Sequence, residues 1–289
     1  MANLKEIKSR ITSIASTMQI TSAMKMVSAA KLKRAQDAII QMRPYANKLS
    51  ELLINLSTSL DPSDIGDYAL ARNEEKILLV TITSNRGLCG GFNAAVIKHT
   101  QTLIINKYKE KKVDVLSVGK KASEYFTKNG FSVVGTHDDL YNDLTFNNVA
   151  LIAENIMLQF KDKKYDKVIL IYNQFKNAAT QLLMNETFLP IQKEEIKETN
   201  QLVIDYLFEP EKTKIVKELI PKSLKTQLFK AVLDSHAAEH GARMTAMHKA
   251  TDNAGELKND LTLTYNKARQ AAITGEILEI VGGAEALNN

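Results

Sequence analysis

Between Leu4 and Leu60 a single heptad register runs without a slip. Steps of three and four residues in alternation meet Leu4, Ile7, Ile11, Ile14, Met18, Thr21, Lys25, Ser28, Leu32, Ala35, Ile39, Met42, Ala46, Leu49, Leu53, Leu56 and Leu60. Only Thr21, Lys25 and Ser28 are polar, and they are consecutive, which is the seam of a coiled coil with one narrow, hydrophilic stretch. A helix of this length spans about 90 Å. It cannot bury its stripe alone and needs another long helix beside it. Pro44 should kink it, because an interior proline removes a backbone hydrogen bond.

The C-terminal arm, from about Lys222 to Leu287, supplies that partner. It opens with bulk at Leu224, Leu228, Val232 and Leu233. From Asp234 to Glu256 the large apolar residues give way to Ala238, Ala242, Ala246, Ala250 and Ala254, every fourth residue, with Met244 and Met247 beside them. Small side chains on one face let a second helix approach closely. Leu257 and Leu261 restore bulk, and Ile273, Ile277, Ile280, Ala284 and Leu287 continue the seam to the end.

Between the arms, apolar runs alternate with helical patterns. Strands are expected at Lys76 to Thr83, Val113 to Val118, Phe131 to Val134 and Lys167 to Tyr172, and helices at Phe92 to Tyr108, Lys120 to Lys128 and Asn147 to Phe160. The run Thr180 to Leu189 follows too directly for a helical crossover, so it should add antiparallel. The expected fold is α/β: a long antiparallel coiled coil of the N- and C-terminal helices with an inserted Rossmann-like α/β domain. Its parts are a helix over 1–60, the α/β domain over 74–190 and a helical region over 210–289. Asp61 to Asn73 and Ile191 to Pro221 serve as hinges.

Composition narrows the chemistry. The one cysteine, Cys89, excludes an internal disulfide, and five histidines without metal-ligand spacing exclude a zinc module. No run of about 18 apolar residues spans a bilayer, and no basic-then-apolar leader opens the chain, so a soluble cytosolic protein is expected. Ser84 to Asn93 follows a strand and opens a helix, the place where α/β folds cradle phosphates. It has neither phosphate-binding glycine fingerprint, and Gly119-Lys120-Lys121 is no substitute, so a structural turn is the expected reading. His236, Glu239, His240 and His248 lack the order of a zinc protease and read as polar decoration of a partner-facing helix. No catalytic set, cofactor site or metal site is indicated. The first 43 residues carry eight basic side chains against Glu6 and Asp37. A solvated face, an acidic protein partner and a basic coiled coil that binds nucleic acid all remain open for them.

Four blocks carry a resemblance. They are Ile20-Thr21-Ser22-Ala23-Met24-Lys25-Met26-Val27, the glycine loop Arg86 to Asn93, Ala242-Arg243-Met244-Thr245-Ala246-Met247 through Asp252-Asn253-Ala254, and Tyr265 to Ala286. In these the chain resembles the gamma subunits of bacterial F-type ATP synthases, the central rotor shaft. The resemblance implies a non-catalytic subunit that couples proton-driven rotation of a membrane c-ring to ATP synthesis. Its coiled coil would run through a ring of alpha and beta subunits, and its foot and α/β domain would meet the epsilon subunit and the c-ring. It further implies beta-subunit contacts at Met24, Lys25 and Lys31, and at Arg269, Gln270 and Thr274, and c-ring contacts at Tyr206 and Glu209. No cofactor and no nucleic acid are implied, and membrane association would come only through the complex, on the cytoplasmic face of a bacterial plasma membrane. Gly275 stands where the family commonly has a longer polar residue, which implies a softer helix there.

Overall fold

A computed structural model describes residues 4–57, 68, 72–191 and 212–287. The elements are α1 (Leu4–Ser57), β1 (Lys76–Ile82), α2 (Phe92–Thr102), β2 (Lys112–Val118), α3 (Lys120–Lys128), β3 (Val133–Thr136), α4 (Phe146–Lys161), β4 (Lys167–Phe175), β5 (Gln181–Leu189) and α5 (Lys212–Leu287). Two compact units divide them, 1–28 with 243–289, and 29–242. The sheet lies in the second, in the order β3-β2-β1-β4-β5. Its first four strands are parallel and β5 is antiparallel to β4, as the short connection requires.

The heptad stripe is buried as its spacing demands. From Leu4 to Leu49 every seam position is buried or half-buried, Thr21 and Ser28 included. Leu53, Leu56 and Leu60 lie outside the described side chains. In the first unit the Thr21 hydroxyl meets that of Thr251 at 2.8 Å, and Met18 Sδ lies 3.9 Å from where a Cβ on Gly255 would stand. Both pairs sum to nearly the same number, so α1 and α5 run antiparallel there. The hydroxyl pair satisfies two polar groups within the seam. α1 continues through Pro44 as one helix.

In the second unit α4 and α5 cover one face of the sheet. Leu78, Val80, Val168 and Leu170 of the strands, Ile152, Ile156 and Phe160 of α4, and Ile220, Leu224 and Leu228 of α5 form one apolar cluster. α5 runs antiparallel to α4: Lys225 pairs with Glu154, and Phe229 packs edge-on against Phe146. It therefore travels from the end where the parallel strands begin to the end where they finish.

Four expectations are corrected. The helix after β1 ends at Thr102 and gives way to a π-turn at Leu103–Lys107, which brings Leu103 and Tyr108, five residues apart, into the core together. β3 starts at Val133, not Phe131, because Phe131 closes α3 by packing on Phe126. α5 starts at Lys212 and carries Pro221 inside it, so that part of the proposed hinge is helix, held by buried Ile220 and Leu224. The terminal isoleucines are exposed, as described below.

Gly119 shows how tightly β1 and β2 are joined. Its φ is +98°, and a Cβ there would sit 2.1 Å from the Thr83 carbonyl oxygen. Gly119→Ala should destabilise the protein by about 3 kcal/mol or more, and Gly130→Ala, at φ +74° but in open space, by about 1 kcal/mol. Chemical denaturation of the two variants measures the difference; equal losses would contradict the steric account.

Candidate functional site

The strand order reverses beside β1, so the crevice where open α/β sheets bind ligands lies over the loop 83–91. α5 occupies that place. Cys89 and Phe92 pack on Ala238, with Phe175 and Ala242 at the margin, and Gly241 lies against Ala178. The loop is tied inward. Asn93 Oδ1 accepts from the Ser84 N–H at 2.9 Å, the Ser84 hydroxyl reaches the Arg86 carbonyl at 2.7 Å, and the Asn173 amide donates to the Phe92 carbonyl at 2.9 Å.

The neighbouring helix start is equally committed. The N–H groups of Lys120, Lys121 and Ala122 donate to Asn85 Oδ1, the Ser84 carbonyl and Thr83 Oγ1, at 3.0, 3.1 and 3.0 Å. A phosphate at a helix N-terminus is held by such donors. Here the chain itself uses them, and the glycine loop is a platform for α5.

Two of the three histidines of α5, His236 and His240, face inward, which corrects their reading as decoration of a partner-facing helix. His240 is buried, His236 stacks on Tyr141 at 5.7 Å, and their Nε2 atoms are 3.1 Å apart. Tyr141 donates to the Thr83 carbonyl at 3.0 Å, and burial drives its phenol well above the usual range. Only His248 is exposed, paired with Asp252 at 3.1 Å. Among the described residues no group of three or more His, Cys, Asp or Glu could hold a metal ion.

One acid of α5 is strongly perturbed. Asp234 is buried and its Oδ1 has no hydrogen-bond partner. Burial raises its carboxyl to about 6, with nearby Glu186 adding to the rise, while Lys230, Arg43 and the Gln174 amide oppose it. Glu186 is itself held by the Tyr172 hydroxyl at 2.7 Å. Because the folded value lies above the unfolded one, the charged form destabilises the fold. Stability falls as pH rises from about 4 to about 6 and stays lower above. Asp234→Asn should remove that slope, gaining roughly 2–3 kcal/mol over the parent at pH 8 relative to pH 4. Thermal melts at the two pH values would show an unchanged gap if the carboxyl titrates normally.

The residues singled out in the sequence fall in separate places. Met24 and Lys25 are half-buried on α1, and Lys31 is exposed on the same helix. Arg269, Gln270 and Thr274 are exposed on α5. In the antiparallel register Met24 stands opposite residues near 248, so the two groups are roughly 30 Å apart along the pair. Tyr206 and Glu209 lie outside the described residues. The sequence reading missed two bare apolar patches in the first unit. Ile20, Met26 and Val27 are exposed beside Lys25. Leu278 and Val281 join Ile273, Ile277 and Ile280 on the far end of α5, at 48 to 71% exposure. The register that pairs Thr21 with Thr251 places Leu4 beside residues near 268, so the described part of α1 ends there and α5 continues without a companion among the described residues. A heptad pattern marks apolar residues but cannot say where the companion helix stops.

A family model described as ATP synthase matches residues 3–287. The ATP synthase gamma chain of Flavobacterium johnsoniae is 62% identical over 288 residues, and that of Christiangramia forsetii 59%, each alignment covering 100% of both chains. Among solved structures, a chain of the Tetrahymena thermophila mitochondrial ATP synthase central stalk and c-ring matches with TM-score 0.61 and 26% identity, over 80% of this chain and 99% of that one. A chain of the Euglena gracilis enzyme, from an OSCP/F1/c-ring structure, matches with TM-score 0.70 and 23% identity, over 98% and 94%.

Proposed function

The chain belongs to the ATP synthase family as one of its gamma chains, and from that premise we propose that it is the central shaft of a rotary enzyme, with no catalytic chemistry of its own. It couples c-ring rotation to sequential conformational change in a ring of alpha and beta subunits. The reading as a nucleic-acid-binding coiled coil finds no support among the relatives. The inferred working division is a shaft helix over 1–60, a domain over 74–190 and a returning helix over 210–289. The inferred partners are the alpha and beta subunits, an epsilon subunit and the c-ring, the last through Tyr206 and Glu209. The chain is then peripheral, on the cytoplasmic face of the plasma membrane. No described helix is long and apolar enough to cross a membrane.

The observation that carries this reading is the unaccompanied end of α5. Five large apolar side chains at Ile273, Ile277, Leu278, Ile280 and Val281 stay exposed on a helix that does not need them there for its own packing. Contiguous exposed apolar surface of this kind marks a contact with another chain. A sleeve formed by surrounding subunits would cover it on all sides and still let it turn.

A shaft in a threefold ring works only if it presents different faces to chemically identical sites, since equal contacts shift no equilibrium. Two unlike helices meet that need. Met24 and Lys25, flanked by bare Ile20, Met26 and Val27, form an apolar and basic face at one level, and Arg269, Gln270 and Thr274 a polar one at another. Lys25 and Lys31 are placed to attract acidic levers on a beta subunit, through charge that salt partly screens.

Two substitutions separate fold from assembly. Ile277→Asp with Ile280→Asp should leave the melting temperature of the isolated chain within about 2 °C, because neither side chain is buried in it. The same variant should lose at least half of coupled ATP synthesis in the assembled enzyme. Co-purification with a multisubunit ATPase and ATP-driven proton pumping in membrane vesicles measure this. An unaltered enzyme, or a parent chain that co-purifies with no ATPase, would refute the rotor reading.

A further inference from the structure

The parallel strands begin at one end of the α/β domain, and that end is unusually basic. Lys76 and Lys112 stand in register at the first positions of β1 and β2, and Lys167 opens β4 beside Ile77. The adjoining turns add more lysines. Together, residues 72–76, 107–112 and 161–167 carry ten cationic and five acidic side chains, a balance of +5 that equals the formal charge of the whole chain.

Three of the five acids at this end are turned to internal tasks, while Glu110 and Asp162 are exposed. Asp166 Oδ2 accepts the N–H groups of Glu75 and Lys76 at 3.2 and 2.9 Å, Glu75 accepts from Asn73 at 3.2 Å, and Glu74 holds Lys167 at 2.6 Å. Lys76, Lys109, Lys111, Lys112, Lys161 and Lys163 are exposed, and among the described residues none of them has a carboxylate within ion-pair distance. At the opposite end of the strands, by contrast, Lys120 and Lys121 share Glu124.

We propose that this lysine face docks on an anionic membrane surface, through the phosphate headgroups of acidic lipids. Three features favour a lipid surface over a protein partner. The face offers no anchor, since none of its three segments exposes a large apolar side chain. Protein interfaces gather aromatic residues and arginine and are depleted in lysine. Its single arginine is withdrawn, with Arg72 donating to the Phe160 carbonyl at 2.8 Å and lying 4.6 Å over the Phe160 ring. What remains is a set of mobile point charges without forked geometry, suited to a diffuse layer of headgroups and not to one bidentate site.

The direction agrees. α5 leaves this end, crosses the domain and reaches the glycine loop at Ala238, so the lysines lie at the end of the domain opposite the glycine loop. On the rotor reading, on which this step alone rests, that end faces the membrane sector.

The test uses the purified full-length chain and sedimentation with vesicles of phosphatidylcholine alone, or with about 30% phosphatidylglycerol. The chain should bind only the acidic vesicles, and at least tenfold more weakly when salt is raised from about 0.05 to about 0.3 M. Combined Lys109→Glu, Lys111→Glu, Lys163→Glu and Lys164→Glu should weaken binding at least tenfold with an unchanged circular dichroism spectrum. A charge-matched variant, Lys8→Glu, Lys33→Glu, Arg34→Glu and Lys249→Glu, should retain most of it. No binding, equal binding to neutral vesicles, or loss in the matched variant alone would overturn the proposal. Vesicle binding by a chain that co-purifies with no ATPase would keep this face and discard the rotor, so the two failures are distinguishable.

Discussion

Everything in the second unit is arranged around the passage of α5 over the sheet. The helix enters with bulk, at Ile220, Leu224 and Leu228 against α4 and the strands, and then thins to Ala238 and Gly241 over the glycine loop and the β4–β5 turn. That taper matches the surface it crosses. A leucine at 238 or 241 would have nowhere to go, because Cys89, Phe92 and Ala178 already touch the helix. The same thinning continues into the first unit, where Gly255 lies against Met18 and Thr251 meets Thr21. One run of small residues thus meets two different packing demands along one uninterrupted helix.

The seam of α1 was legible from the sequence alone because period and burial are the same physical fact: a residue every 3.5 positions must face one neighbour. The strands were legible for a similar reason, as the largely buried β1, β2 and β4 are predominantly apolar. What escaped was set by tertiary contacts. The π-turn after Thr102 exists so that Leu103 and Tyr108 can both be buried, and no local pattern of residues announces that. Phe131 looks like the start of a strand by composition, yet its ring is claimed by Phe126.

The errors at the candidate site have a common source. A helix displays apolar and polar residues without saying what stands opposite. Nothing local in the sequence shows that His236 and His240 share an interior with Tyr141 and Glu239. Ile273 to Ile280 were read as inward because a seam was assumed to continue, although the helix beside it ends. Both misreadings reverse once the partner is known, and the second acquires a meaning from the reversal. Apolar side chains that a chain does not bury against itself have to be buried by something else, or they favour aggregation.

The sheet topology sharpens the contrast between fold and task. The order β3-β2-β1-β4 forms the crevice that binds nucleotides in many proteins, and the loop after β1 is rich in glycine. Yet the N–H donors at the start of the neighbouring α3 are bonded to Asn85, Ser84 and Thr83, and α5 packs on the glycine loop. A nucleotide could enter only by displacing a helix whose flanks are anchored at Leu228, Val232 and Ala238, each fully buried. The crevice of this sheet is thus spent on seating a helix, and the glycine loop serves packing.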